Sequence, residues 1–217
     1  MSAATTIRNR FVDGPDSLAE RYRARRWEQL RTEFPDIADM TIVDLGGTVS
    51  SWRRAPVRPR KVIVLSFEPE GADDVDWIES HHADACDLPA PFRDLRADLV
   101  YSNAVIEHVG GAERRQRFAD SVHRLADHHW VQTPYRYFPV EPHWLFPGFQ
   151  FLPVPARVAV SRRWRLVHTP NSDRQAAVDN VLSVELIGLT ELRNLFPTSR
   201  VLTERAAGLV KSIIAVR

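Results

Sequence analysis

The segment Lys61–Phe67 (Lys-Val-Ile-Val-Leu-Ser-Phe) is apolar almost throughout, rich in β-branched residues and only seven residues long. A run of that length and composition suits a strand covered on both faces, the environment of a parallel sheet. Met40–Leu45 is a shorter run of the same kind that ends in an acid, a leucine and two glycines. Further strands are read at Asp98–Ser102, His129–Thr133, Ser199–Glu204 and Lys211–Val216. A short third strand is placed near His82–Ala85, after a helical turn over Asp74–Ser80. Helical stretches fall between them. Ser17-Leu18-Ala19-Glu20 fits a capping box, in which the Ser hydroxyl and the Glu carboxylate each satisfy a backbone donor. The helix it opens carries Tyr22, Trp27, Leu30 and Phe34 toward Pro35. A short helix is placed at Ser51–Ala55, an amphipathic one at Ala112–Leu125, and a last one at Thr190–Phe196 with Thr190 as its cap. Strands alternating with helices imply βαβ units and a mainly parallel α/β sheet. With 217 residues, 44% of them hydrophobic, the whole chain 1–217 is expected to form a single domain around one substantial core. Residues 1–35 form its N-terminal tail and helix, a candidate lid. Residues 135–180, rich in proline and aromatics and weakly periodic, read as an insertion after the fifth strand.

Charge narrows the partners. The formal net charge is +1 and the only lysines are Lys61 and Lys211. The arginines are interleaved with acids, so no basic patch points to nucleic acid; their excess over lysine fits a GC-rich bacterial genome. A single cysteine, Cys86, excludes an internal disulfide framework. No secretory signal is visible and no apolar run is long enough to span a membrane, so the cytoplasm is the expected location. A homodimer is left open.

The chemistry is concentrated where strands end. Val43-Asp44-Leu45-Gly46-Gly47-Thr48 runs a strand into glycines, which lets backbone amides approach a ligand at the carboxyl edge of a sheet. An acid ahead of the glycines disfavours a pyrophosphate and suits a cationic amino group. Glu68, just past the second strand, is placed to accept from ribose hydroxyls. Ala83-Asp84-Ala85 would end the third strand with an acid and a backbone amide able to read adenine. Each piece also fits a plainer role: an ordinary strand-to-helix turn, a solvated loop acid, a turn acid.

In this order, with the Asp98–Val109 segment that passes from strand into a polar turn and Glu107-His108, the four segments resemble class I S-adenosylmethionine-dependent methyltransferases. The resemblance covers residues 20–134 and the ending from Phe196. It implies a Rossmann-like fold with a seven-stranded, mainly parallel sheet and a terminal β-hairpin, and S-adenosyl-L-methionine as cofactor. It places Asp44, Gly46, Gly47 and Thr48 at the methionine part, Glu68 at the ribose, Asp84 and Ala85 at the adenine and Asn103 on the methionyl side. Two positions depart from the family's pattern. Thr48 and Ser50 stand where later glycines are usual, and Ser66 stands where the second-strand acid often sits.

The acceptor is expected to meet the insertion. Tyr135-Arg136-Tyr137-Phe138-Pro139-Val140-Glu141-Pro142-His143-Trp144 follows the fifth strand. Transfer to a hydroxyl requires alignment and removal of a proton. His143 is the candidate base, since imidazole titrates near neutral pH; Glu141 would orient it, and His108 is an alternative base. Tyr135, Tyr137 and Trp144 offer flat faces with polar tips for a small polar acceptor such as a sugar or glycan. The segment also fits a proline-stiffened packing loop. Glu107-His108 is similar to a pair that helps hold Mg²⁺ in ubiquinone-pathway O-methyltransferases, but the acid that motif places three residues earlier is Ala104 here. O-methylation is the leading reading. N- or C-methylation of another metabolite, and a catalytically degenerate methyltransferase fold acting as a binding or regulatory module, are the alternatives. The remaining histidines, the His81-His82 and His128-His129 pairs among them, are read as strand-edge residues.

Overall fold

The computed structural model describes residues 17–72, 74–164 and 173–217, with positions 6, 10, 14 and 166 besides. Most of the tail expected as a lid thus lies outside the described residues. Helix α1 (Leu18–Glu33) begins at Ser17, whose Oγ accepts from the Glu20 N–H at 3.2 Å. The reciprocal half of the expected capping box is replaced: the Ser17 N–H donates to the Gly14 carbonyl and Glu20 pairs with Arg23 along the helix. Strand β1 (Thr41–Leu45) leads through the glycines to helix α2 (Val49–Arg53), opened by Thr48. Strand β2 spans Lys61–Ser66 and β3 spans Ile78–His82. The expected third strand was thus placed too late. β3 lies at the sheet edge, paired to β2 on one side only, so it needs no continuous apolar run. Its burial is correspondingly broken.

Helix α3 (Ala90–Arg93), β4 (Leu99–Asn103), α4 (Ala112–Leu125) and β5 (His128–Pro134) complete the parallel part. The insertion follows. It comprises a short ribbon of β6 (Val140–Glu141) and β7 (Phe146–Pro147) and helices α5 (Val154–Ser161) and α6 (Arg174–Leu182). The chain returns through α7 (Leu189–Leu195), β8 (Arg200–Ala206) and β9 (Leu209–Val216). Gly188, not Thr190, precedes α7. The main sheet has seven strands in the order β3-β2-β1-β4-β5-β9-β8. β1 to β5 pair in parallel, and the closing β8–β9 hairpin is antiparallel. This is the expected Rossmann-like methyltransferase architecture with its terminal hairpin.

The central strands are buried on both faces, and alternate residues feed different cores. Val43, Leu45, Ile63, Leu65, Val100 and Val131 join α4 and α7. Ile42, Val62, Val64, Leu99, Tyr101 and Trp130 join α1 and α2. His129, read from sequence as an edge residue, is fully buried and bonds the Ser199 hydroxyl at 2.7 Å. The insertion has its own small core around Trp144, Phe149, Val158, Ala177 and Val181. Arg115, on α4, holds the segment that follows the insertion, reaching Glu185 at 2.7 Å and Glu191, on α7, at 2.6 Å.

Helix α1 is pinned by a buried ion pair. The Arg26 guanidinium meets both oxygens of Glu204 at 2.7 Å and also donates to Asn103. Removing one member of such a pair strands a buried charge. Arg26→Ala should lower the unfolding free energy by about 3–5 kcal/mol, and Arg26→Met combined with Glu204→Leu should restore most of it; urea denaturation of the two variants beside the unaltered chain measures both effects.

Candidate active site

Because the central strands have no free face, their polar groups emerge at the carboxyl ends, where β1 and β4 stand side by side. After β1 the chain turns at Gly46, whose φ of +76° belongs to the left-handed region. A Cβ there would stand 2.5 Å from Val105 Cγ1, so the loop requires glycine and leaves bare backbone at the sheet edge. Asp44 lies beneath this loop. Its carboxylate accepts from the Trp52 indole N–H at 2.7 Å, and a Cβ on Gly47 would fall 1.7 Å from the carboxylate oxygen Oδ2. Burial raises the Asp44 carboxyl to about 7, against the pull of the Trp52 hydrogen bond. Asp44 is therefore a support under the glycine loop. The side chain is 1% exposed, and its second oxygen, Oδ1, has no partner among the described residues.

The other residues assigned to the cofactor divide by their partners. Thr48 spends its hydroxyl on α2, accepting from the Ser51 N–H at 3.2 Å. Ser50 uses its N–H and hydroxyl on Glu70, an acid the sequence reading passed over. Glu68 stands exposed in the loop past β2, where its N–H donates to Ser66 Oγ at 3.3 Å. Asp84 lies beyond β3, accepts from the Cys86 N–H at 2.8 Å and takes Arg114 on both oxygens at 2.9 Å. Burial works against its charge, yet these bonds hold its pKa below the usual carboxylate value. Ala85 sits buried in the same turn. Asn103 ends β4 with its side-chain oxygen accepting from Arg26 and its amide nitrogen left as a donor. The bare glycine loop fits close approach of S-adenosylmethionine, and Asp84 Oδ2, which accepts only from Arg114, keeps a lone pair for a further donor.

A second group assembles beside Asn103. The chain leaves β4 through Ala104, at φ 56°, a left-handed conformation uncommon for a side-chain-bearing residue. This turn folds Glu107 inward to 1% exposure, where one oxygen accepts from Thr133 Oγ1 at 2.9 Å and the other, Oε1, has no partner among the described residues. Burial pushes the Glu107 carboxyl up to about 7. His108, next in the chain, stays exposed, with Nδ1 3.2 Å from the Ser183 carbonyl. Across from it, the ribbon brings Glu141 and His143 together: Glu141 Oε1 lies 2.6 Å from His143 Nδ1, and Oε2 accepts from the Trp144 N–H at 2.9 Å. The two histidines meet at Nε2, 3.2 Å apart. Burial disfavours charge on both rings. His108 is lowered by that burial and by His143, whereas the Glu141 bond outweighs burial at His143 and raises it.

The structure thus joins the residues read as catalytic, Glu141, His143 and His108, with Glu107. It also corrects the acceptor surface. Trp144 is 2% exposed, stacked on Phe149 and bonded to Ser161, so it is core and presents no face to a ligand. Tyr135 and Tyr137 lie edge to face at 5.5 Å, and exposed Tyr137 stacks with Phe151. Phe151 had no sequence signal beyond being one aromatic among many. The cluster does not suit Mg²⁺, which takes oxygen ligands; two of its donors are imidazole nitrogens.

Trp52→Phe removes the indole N–H and, at this fully buried position, part of the ring volume as well. It should cost about 1–3 kcal/mol and loosen the glycine loop, seen as a lower urea midpoint and weaker S-adenosylhomocysteine binding by calorimetry.

Residues 38–128 match the model of the methyltransferase domain family. The chain is similar in structure to an O-methyltransferase family protein from Burkholderia thailandensis, at 16% identity and a TM-score of 0.51 over 89% of this chain, which spans 56% of that protein's length. It is also similar to the N-methyltransferase NodS from Bradyrhizobium japonicum, at 12% identity and a TM-score of 0.53, covering 95% of this chain and 97% of that one. An S-adenosylmethionine-dependent methyltransferase from Mesorhizobium loti matches at 18% identity and a TM-score of 0.52, covering 88% and 97%. No curated protein sequence matches the chain. No helix among the described residues is long and apolar enough to cross a membrane. Residues 38–128 thus match the methyltransferase domain family, and the sheet order and glycine loop are those of the class I S-adenosylmethionine-dependent methyltransferase fold.

Proposed function

We propose that the chain transfers the methyl group of S-adenosyl-L-methionine to a hydroxyl oxygen of a small polar acceptor, with sugars and glycans the leading class. The observation that carries this reading is the Glu141–His143–His108 arrangement at the carboxyl edge, beside the strand end where the family brings its methyl donor. The sulfonium supplies the methyl carbon. The acceptor oxygen's lone pair forms the new O–C bond while the S–C bond breaks and its electrons stay on sulfur; the hydroxyl proton must leave, and the histidine cluster is the group that draws it off. Glu141 holds His143 through Nδ1, which leaves Nε2, 3.2 Å from His108 Nε2, as the ring's working nitrogen. An amine acceptor would need less help with its proton, which is why the cluster favours oxygen over the N-methyl alternative. Tyr137 and Phe151, 61% and 55% exposed, provide ring faces of the kind that stack on a sugar.

A second reading, a methyltransferase fold kept as a binding module, is favoured by the hydroxyls at Thr48 and Ser50 where glycines are usual. The two readings part on turnover. Calorimetry should find S-adenosylmethionine and S-adenosylhomocysteine bound in the micromolar range with NADH unbound, and a sugar panel should contain an acceptor that turns over. Against that acceptor His143→Ala should keep cofactor affinity and lose about 10²- to 10⁴-fold in turnover. Unchanged turnover removes His143 from the chemistry, and cofactor binding without turnover on any acceptor favours the binding module.

A further inference from the structure

The two histidines pose a question of charge. The Ser183 carbonyl can only accept, so His108 carries its hydrogen on Nδ1; the Glu141 carboxylate assigns the hydrogen of His143 to Nδ1 in the same way. In neutral rings both Nε2 atoms are then lone-pair acceptors, yet they stand 3.2 Å apart and face each other. Two acceptors at that distance require a cation between them, either a proton or a metal ion. A shared proton would satisfy the histidines but leave Glu107 Oε1, buried and unpartnered, unserved. A metal ion serves all three, since one donor atom each from Glu107, His108 and His143 lie within 4.8 Å of one another.

We propose that Glu107, His108 and His143 form a binding site for a divalent first-row transition ion of the zinc type, with an open coordination position toward solvent and the acceptor. Two nitrogens at ordinary zinc–nitrogen lengths on a tetrahedral ion stand about 3.3 Å apart, close to the separation found. Each histidine also donates its other nitrogen to a carboxylate or carbonyl, the support that metal-bound imidazoles almost always have. Two histidines and one carboxylate are the donors of catalytic zinc and non-haem iron sites that keep a position open, and the imidazoles select such ions over Mg²⁺. Exposed His108 gives that position its access. The role given to the ion rests on the proposed O-methylation: an acceptor hydroxyl held there loses its proton to water more readily, so the histidines would act as ligands and not as the base itself. The site itself does not depend on that reading.

The test uses the full chain, stripped with a chelator and dialysed, then titrated with Co²⁺ as an optical probe and Zn²⁺ in competition. One equivalent of Co²⁺ should produce the visible absorption of a low-coordinate site, displaced by Zn²⁺ and not by Mg²⁺. His108→Ala, an exposed position that spares folding, and His143→Ala should each abolish the spectrum; Glu141→Gln should weaken binding about 10- to 100-fold. Absence of a saturable Co²⁺ signal in the unaltered chain overturns the site, as does a signal unchanged in both histidine variants. Metal bound as expected by a protein that methylates no acceptor leaves the site standing and removes the O-methyltransferase reading. Methylation that persists in stripped protein, with no Co²⁺ signal, does the reverse and returns the histidines to the role of base.

Discussion

Burial of the central strands on both faces is the constraint that organises this molecule. Once Val43, Ile63, Val100 and Val131 face one core and Ile42, Val62, Leu99 and Trp130 the other, no side chain in the middle of the sheet is available for chemistry. Function is pushed to the strand ends. There the backbone must turn sharply without clashing, which accounts for the glycine at position 46 and the strained conformation of Ala104. These turns lie at the ends of neighbouring strands, so the bare glycine backbone and the Glu107–His108 step share one edge.

The second organising element is the docking of the insertion onto that edge. The insertion contributes its own core, and its position follows from contacts around the segment by which the chain returns to the sheet. Arg115 reaches Glu185 and Glu191, the Glu185 N–H bonds the Glu107 carbonyl, and the Arg136 N–H bonds the Ile187 carbonyl. These contacts bring a histidine from the ribbon against a histidine from the turn after β4. Each half completes the other's hydrogen bonds: His108 finds its carbonyl partner at Ser183, just past α6, and His143 has Glu141 from the ribbon and His108 from the sheet edge.

Most of the architecture was legible because each parallel strand carries an undiluted apolar signal. β1, β2, β4 and β5 were placed nearly to the residue. β3 was misplaced because an edge strand with polar residues has no such signal, and the acid after it drew the reading toward Asp84. The cofactor residues were legible in position but less so in orientation. The acid before the glycine loop was legible at Asp44, but the indole N–H eight residues on that holds one of its oxygens under the loop was not. Asp84 was read as an adenine contact, and only the folded chain brings Arg114 from α4 to it. Trp144 was read as a ligand face because aromatic residues near a histidine invite that inference; stacking on Phe149 buries it instead.

The amino-acid sequence by itself determined the fold class, the strand order's parallel core, the glycine turn and the set of residues able to do acid–base or metal chemistry. Those follow from local composition, since strand burial, turn conformation and side-chain functional groups are properties of short segments. Only the tertiary structure decided which of those groups meet. The contact between His108 and His143 joins residues separated by a helix, a strand and a ribbon, and the unpartnered oxygen of Glu107 exists only because the Ala104 turn buries it. Pairing at that distance depends on how the insertion packs against the sheet, a global outcome that no local pattern encodes.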